Sequence, residues 1–399
     1  MNRVIVIGAG VSGMTAAICA ARGGASVTVL EHMDKGGKKL LMTGNGKCNL
    51  TNTHIDRECY NCTDEGFPME VYKNFPYEST IDFFHSICLY TKEKNGYVYP
   101  VSEQAGSVLE LLSDELKRLN VKIKYNQKID SVRRTSQGFE VSVEGYTYTA
   151  DKCILATGAK SVPQTGSDGS GYEFAKAFSH SVIKPLPSLV ALKTDSGLTN
   201  TAAGVRRDSK AFLYIDDMLV KESHGELQFT DGYISGIMIY ELSSQAVRAL
   251  DGNKKVHIEL DFSPDMGETE LFDILKKNAD KTMNLIKAAR SLFNDKLIKG
   301  IILENNISPE DVSDKNIRLF AAKCKSTKIT VTGCKGFDTA QVTSGGVSVN
   351  EVNPKTLESK ISKGLYIVGE LLDVDGICGG YNLQWAFSTG ALAGTDAAR

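Results

Sequence analysis

The chain has 399 residues, with 46 Lys and Arg against 48 Asp and Glu for a formal net charge of −2, so no global basic field draws in nucleic acid. An apolar content of 42% and a charged content of 24% are those of a soluble globular protein, and no uninterrupted apolar run is long enough to cross a bilayer. The length suits about two or three domains, and nine cysteines without a framework spacing fit reduced thiols and a cytoplasmic setting.

Arg3-Val4-Ile5-Val6-Ile7 reads as a short buried strand, followed at once by Gly8-Ala9-Gly10-Val11-Ser12-Gly13. An alanine-rich helix, Met14 to Arg22, and a second strand, Ser26 to Leu30, complete the unit, with Glu31 and His32 at its end. This is the βαβ dinucleotide fingerprint in its full context. Gly8 permits the tight turn, Gly10 lets a pyrophosphate approach the backbone, and Gly13 lets the helix pack close to the strand. The helix N-terminus offers free N–H groups and a partial positive charge to that pyrophosphate, and Glu31 is placed to accept from the adenosine ribose hydroxyls. The first residues resemble a short signal peptide, but the strand–glycine–helix pattern explains them better.

The fingerprint does not choose between NAD and FAD. Lys35 to Asn52 is a long glycine, lysine and asparagine loop where an NAD-type domain normally enters its next helix. Its backbone freedom and donors suit a longer ligand such as FAD. The candidate contacts on it are Lys38, Lys39, Thr43, Gly44, Gly46, Lys47, Cys48 and Asn49.

Cys59-Tyr60-Asn61-Cys62 is the one close cysteine pair; it lies in a polar segment with no strand before it and no clear helix after it, and is read as incidental rather than as a redox dithiol. A helix over Tyr77 to Leu89 has Ile81, Phe84, Ile87 and Cys88 on one face. Asn95-Gly96 marks a turn before the strand Tyr97-Val98-Tyr99. A second helix carries Val108, Leu111, Leu112, Leu116 and Leu119 at helical spacing. Val121 to Tyr125 is strand-like, and Ile129 to Val132, Phe139 to Val143 and Tyr146 to Ala150 form a small antiparallel addition. Cys153 to Leu155 returns to a buried strand, ending in the turn Ala156-Thr157-Gly158 as a second ligand-facing segment. The glycine-rich run Gly166 to Gly171 lacks a strand leading into it and is not a second dinucleotide site.

After Pro187 the runs Ser188 to Thr194, Ala211 to Ile215, Met218 to Lys221, Leu227 to Thr230 and Val256 to Leu260 are short and strand-like, with Asp216-Asp217 as a hairpin turn. They imply an all-β insertion. Met266 to Ile329 is helical and lysine-rich, with turns near Gly300 and Pro309. Strands recur at Ile329 to Thr332 and Gln341 to Val349, the latter holding Gly346. A buried strand then ends in Gly369-Glu370, and a glycine-rich turn leads to a last helix from Leu383, with Asn382 as its N-cap.

A strand ending in glycine and an acid, a glycine-rich turn and a C-terminal helix resemble the third FAD contact of glutathione-reductase-type flavoproteins. Gly37 to Asn52, Tyr97 to Ala105, Thr343 to Val347 and Cys378 to Ala386 together resemble the motifs of a bacterial three-domain flavoprotein family, the aminoacetone-oxidase-like or BaiN-like NAD(P)/FAD-dependent oxidoreductases. The family more often has arginine where this chain has Lys38, Lys47 and Tyr97. A lysine keeps the charge but not the planar bidentate contact.

The resemblance implies an α/β fold: a glutathione-reductase-type Rossmann FAD-binding domain over residues 1–189 and 346–399. Inserted in it would be a β-barrel-like subdomain over 190–265, returning over 329–345, and a small helical subdomain over 266–328. It implies FAD contacts at Gly380, Tyr381, Asn382, Leu383 and Gln384, where the helix dipole favours the reduced flavin anion. Lys47, Asn49 and Tyr381 are the candidate catalytic residues: Lys47 for the reduced anion, Asn49 and Asn382 for the ring edge, Tyr381 for substrate. No metal site is expected. With one complete fingerprint, NAD(P)H would have to visit the substrate face as a transient reductant. The implied activity is two-electron transfer between FAD and a small organic substrate, in either the oxidase or the reductase direction. An FAD-dependent tRNA-modifying enzyme of the same fold type and a non-catalytic redox sensor are the alternatives.

Overall fold

The computed structural model describes residues 1–399, in two compact units: Met1–Leu186 with Gln341–Arg399, and Pro187–Ala340.

The first unit is built on a five-stranded parallel sheet. Its spatial order is Leu365–Ile367, Lys152–Leu155, β1 (Arg3–Ile7), β2 (Ser26–Leu30) and Lys122–Lys124. Val4 to Ile7 are buried, as expected of a central parallel strand covered on both faces. Helix α1 (Val11–Arg22) links β1 to β2, and the chain then returns on the other side of β1 with Lys152–Leu155. That reversal makes the carboxyl ends of β1 and Lys152–Leu155 the switch point, where open α/β sheets bind ligands. The C-terminal helix (Tyr381–Ala397) crosses α1 so closely that a Cβ on Gly390 would lie 2.4 Å from the Ser12 carbonyl oxygen. One on Gly394 would lie 2.2 Å from that of Ala16.

Ile129–Thr135, Gly138–Val143 and Tyr146–Ala150 form the small antiparallel sheet that the sequence implies. Three local expectations change. The helix that starts at Tyr77 ends at Ser86, and its buried face is Thr80, Phe83 and Phe84, with Cys88 exposed. The Cys59–Cys62 segment does have a strand, Tyr60–Cys62 paired with Val374–Gly376, and a helix after it, Phe67–Asn74. Val342–Val347 does not belong with the inserted strands: it pairs with Val182–Ser188, in the first unit. A strand can be read from β-branched residues, but its partner cannot.

The second unit is a closed six-stranded barrel, ordered Leu192–Thr194, Tyr233–Ser235, Met218–Thr230, Arg206–Ile215, Val256–Asp261 and Thr327–Cys334. Asp216 and Asp217 have φ of 49° and 63°, the left-handed pair of a tight hairpin turn. The insertion is not all-β. Ile237–Asp251 is a helix that buries Met238, Ile239, Leu242, Ala246 and Val247, an apolar stripe at helical spacing behind a β-branched start. Four helices between Glu268 and Lys325 belong to the same compact unit. Gly300 is inside one of them, Asp295–Glu304, rather than at a turn; a Cβ there would be 2.4 Å from Leu198 Cδ1.

Candidate active site and cofactor cradle

The turn after β1 is fixed by contact. Gly8 has φ of 104° and a Cβ there would lie 2.4 Å from the Ala156 carbonyl oxygen; one on Gly13 would lie 2.0 Å from that of Gly8. Gly10 differs, since a Cβ there meets nothing within 4 Å. It is also the N-cap of α1 and supplies no side-chain cap, so the first-turn N–H groups of Val11 and Ser12 face an open cradle. Glu31 is buried and already employed: Oε2 accepts from Ala9 N at 2.7 Å and Oε1 from Met33 N at 2.8 Å. The acid expected to take ribose hydroxyls first rigidifies the turn, and its remaining lone pairs are what a ribose could use. His32 Nδ1 lies 3.7 Å from Glu31 Oε1.

The loop after β2 folds back on this turn, with Gly37 N donating to Ala9 O at 2.9 Å. Two short 3₁₀ turns cover Leu40–Gly46, broken at Thr43–Asn45, where Gly44 and Asn45 are left-handed. Thr43 Oγ1 donates to Leu40 O at 2.7 Å, so its hydroxyl serves the loop. Cys48 is fully buried with φ of 59°, and burial pushes its thiol up to about 12. The expected role of Lys47 is not met by its placement: its ammonium pairs with Glu103 at 3.1 Å, and more than half of the side chain is exposed. Glu103 also takes Lys92 at 2.6 Å, and the two lysines hold its carboxyl down at about 2. Lys38 pairs with Asp34 at 2.5 Å. Two of the charges that stand where the family has arginine are thus neutralised locally.

Lys39 and Glu370 tie distant segments together. Lys39 Nζ donates to Glu370 Oε2 at 2.5 Å and to Ser161 Oγ at 2.6 Å. Glu370 Oε1 accepts from Ser161 Oγ at 2.7 Å and from Thr343 N at 2.8 Å. Thr343 Oγ1 accepts from Lys160 N and Ser161 N, at 3.1 and 3.0 Å. One carboxylate therefore joins the loops that follow β2, Lys152–Leu155 and Leu365–Ile367. Ser161 is legible as a polar loop residue and Thr343 as a polar residue of a strand-like run, but nothing in their spacing points to this network. In the second turn, Thr157 Oγ1 donates to Gly158 O at 3.1 Å. Gly346, with φ of 145°, lies against Leu371, as a Cβ there would be 2.6 Å from its carbonyl oxygen. Gly369 lies against Ser12, where a Cβ would be 2.6 Å from the hydroxyl oxygen.

At the carboxyl end of the chain the helix starts at Tyr381, and its N-cap is Gly380, with φ of 96° and no side-chain cap. Asn382 is not the cap. Its amide accepts from Gly376 N and donates to Gly376 O, both at 2.8 Å, which closes the preceding turn and takes the amide away from a ring edge. Gln384 is buried, donating to Ser388 Oγ at 2.9 Å and Phe75 O at 3.2 Å, so it faces the interior. Leu383 is partly buried against the core. Tyr381 is buried edge-on against Tyr60, ring centres 6.1 Å apart, and Tyr60 Oη donates to the Tyr381 carbonyl at 3.2 Å. Burial raises the Tyr381 phenol, which also bonds Cys59. This placement is that of a packing residue. Cys59 and Cys62 are free thiols raised by burial, Cys62 to about 12, the opposite of the lowered pKa a redox dithiol needs.

Asn49, like Gln384 with its Oε1, keeps a buried oxygen without a partner, and it lies beside Gly380. It is 9% exposed, its Oδ1 has no hydrogen-bond partner, and it lies 3.0 Å from where a Cβ on Gly380 would be. Two glycine-capped helix N-termini, an open cradle at Gly10 and an unsatisfied buried acceptor beside Gly380 fit a long dinucleotide held at both ends. Gly8, Gly10, Gly13 and Glu31 would hold the adenosine diphosphate part, and Asn49 with the C-terminal helix the ring.

A family model described as HI0933-like protein Rossmann domain matches residues 2–396, and the chain belongs to that family. It is an FAD-dependent oxidoreductase. It is 41% identical to a 3-dehydro-bile acid delta(4,6)-reductase of Clostridium scindens, over 100% of this chain and 99% of that protein. It is 30% identical to a ribosomal RNA dihydrouridine synthase of Haemophilus influenzae, over 96% of each chain, and 27% identical to one of Escherichia coli, over 98% of this chain and 97% of that protein. The open conformation of a flavocytochrome c3 fumarate reductase is similar in structure, with a TM-score of 0.50 and 15% identity over 100% of this chain and 78% of that one; this shows the fold alone. No helix is long and apolar enough to cross a membrane.

Proposed function

We propose that this enzyme reduces a carbon–carbon double bond conjugated to a carbonyl, on an apolar fused-ring substrate. The observation that carries the reading is the full-length 41% identity to a protein named as a 3-dehydro-bile acid delta(4,6)-reductase. The more distant relatives support the reaction class. A 3-oxo-Δ4,6 steroid and a uracil ring both present a C=C bond conjugated to C=O, so the two names share one reducible group. FAD supplies the hydride. The chain's part is to hold the ring between the loop of Asn49 and the amino end of the C-terminal helix, and to admit the substrate. Leu41 and Met42 on the loop, and Tyr97 on the strand paired with Asn52, are exposed apolar side chains that suit an apolar substrate better than a nucleotide. Reduction by NAD(P)H at the substrate face is the expected source of electrons, since the chain has no second fingerprint.

The test is anaerobic reduction of the flavin by NADH or NADPH, followed at the flavin absorbance, then reoxidation by a 3-oxo-Δ4,6 bile acid, a simple cyclic enone or a uridine-containing rRNA fragment. Fast reoxidation by the steroid enone is the expected result. Reoxidation by the rRNA fragment alone would favour the second reading, an rRNA dihydrouridine synthase, which the 30% identical relative supports and the net charge of −2 opposes. Rapid turnover with oxygen and small amines, and none with enones, would place the enzyme in the oxidase direction.

A further inference from the structure

We infer that one face of a small sheet beside the cradle recognises the anionic tail of an amphipathic substrate: Tyr97 and Tyr99 take its apolar rings, and Lys47, Lys92 and Lys94 its charged group. The face follows from strand register. Thr51–Asn52, Tyr97–Pro100 and Thr91–Lys94 form a three-stranded antiparallel sheet. Residues directly opposite one another share a face. Asn52, Tyr97 and Lys94 therefore stand in one row, and Tyr99 and Lys92 in the next. Thr51 and Val98 point the other way and are buried. The outward face is open, with Tyr97 39% exposed and the Lys92 side chain 45%. It touches the cradle at two points. A Cβ on Gly379, next to the glycine that caps the C-terminal helix, would lie 3.2 Å from Cε1 of Tyr97. One on Gly44 would lie 3.9 Å from Cε1 of Tyr99 and 3.9 Å from Cβ of Lys47.

Charge is graded along this face. Lys47 and Lys92 share the carboxylate of Glu103, at 3.1 and 2.6 Å, and Lys94 stands opposite Tyr97. Glu93, the other acid of these strands, is opposite Val98 and accepts from Gly96 N, so it belongs to the inner face. Three ammonium groups thus meet one carboxylate, and the face is left with a positive excess. Glu103 has already drawn two of the ammonium groups together, which lowers the entropy lost when a second carboxylate joins them. Tyr97 and Tyr99 are two residues apart, about 7 Å along the strand. That step suits a fused-ring body better than a single small ring. A ligand with one end of its rings at Gly379 lays the rest along the tyrosines and brings its far end among the lysines. The geometry therefore selects a molecule with its reducible group at one end and a carboxylate at the other. A run of phosphates fits less well, because Glu103 stands in the middle of the cations and repels it.

The inference rests on the enone-reductase reading for its substrate class, but its test is a binding measurement without turnover, so the two fail separately. Full-length, FAD-bound, oxidised enzyme is titrated by calorimetry with a saturated 3-oxo steroid acid and with its methyl ester. The wild type should bind the acid about fivefold or more tightly than the ester at low salt, and the gap should shrink as salt is raised. With Lys92→Met and Lys94→Met together, the two ligands should agree within about twofold while the ester keeps its wild-type affinity. Glu103→Gln frees both of its lysines for the ligand and should tighten the acid by about threefold, again without moving the ester. Equal affinities for acid and ester in the wild type, or binding of neither, overturn the inference, as does a preference for the acid that survives the double variant. An oligouridylate that binds more tightly than the acid, and is lost in the double variant, overturns it in favour of bases stacked on the tyrosines. A lysine-dependent preference for the acid, in an enzyme whose reduced flavin the unsaturated acid does not reoxidise, upholds this inference and refutes the reductase reading.

Discussion

Gly10 and Gly13 stand three positions apart on one turn, yet substitution should separate cofactor binding from folding. A side chain at Gly10 meets open space, whereas one at Gly13 meets the Gly8 carbonyl oxygen at 2.0 Å. Gly10→Val should therefore leave the melting temperature of the apoprotein within a few degrees of wild type and abolish FAD retention. Gly13→Val should fail at folding, as strain against backbone costs about 1–3 kcal/mol or more. Flavin content after purification and apoprotein melting, measured together, distinguish the two.

His180 gives a second residue-scale prediction. It is buried, with Nδ1 3.0 Å from Glu351 Oε2 and Nε2 2.8 Å from Ser359 Oγ. Burial lowers its pKa below 6.5, and the bond and charge of Glu351 only partly oppose this. Above pH 6.5 it is neutral in the folded and unfolded chains alike and contributes no pH dependence. Below 6.5 the unfolded chain takes up the proton first, so stability falls with pH until the folded pKa is passed. His180→Gln keeps hydrogen-bonding capacity and should flatten the urea midpoint between about pH 6.5 and 5. A wild-type midpoint that does not change over that interval would count against the assignment.

Among the elements, the crossing of α1 and the C-terminal helix carries the most consequence. Gly390 and Gly394 are one helical turn apart and receive the Ser12 and Ala16 carbonyls, so this contact is backbone on backbone. Ser12 also lies in the first turn of α1, beside the open cradle at Gly10. A bulky residue at Gly394 would push the C-terminal helix away from α1, destabilising the protein by about 1–3 kcal/mol. Gly394→Val should lower the melting temperature and weaken FAD binding in parallel. Chemical melts with and without added FAD read both effects. The Glu370 network belongs to the same scale: it fastens the loop of Lys39 to Ser161 and Thr343, and so holds the loop that carries Asn49.

At the scale of the molecule, the parallel sheet is completed from both ends of the chain. Leu365–Ile367 is its edge strand beside Lys152–Leu155, and the C-terminal helix packs on α1. We therefore expect limited proteolysis to yield no fragment that lacks residues 365–397 and still holds FAD. Fragments run on a gel and scanned for flavin would show it; a yellow N-terminal fragment would refute this account. The residues between Leu186 and Gln341 form a unit with its own closed barrel.

The βαβ fingerprint, the returning strand at Cys153 and the final strand–turn–helix were legible in the sequence, because each rests on local rules: strand period, glycine position, helix spacing. FAD was legible for the same reason, since a dinucleotide is met by backbone and glycines whose requirements are written in consecutive residues. Side-chain roles were not. Lys47 by itself reads as a charge for the flavin, whereas in the structure it pairs with Glu103, more than fifty positions later. Asn382 by itself reads as a cap, a place that Gly380 takes in the structure. The pairing of Val342–Val347 with Val182–Ser188, the helix at Ile237–Asp251 and the isolation of Asn49 Oδ1 were likewise decided by the tertiary structure. A sequence lists which residues can donate, accept or pair. Which of them still lacks a partner is decided only when distant segments have packed, as at Asn49 Oδ1, beside the glycine that caps the C-terminal helix.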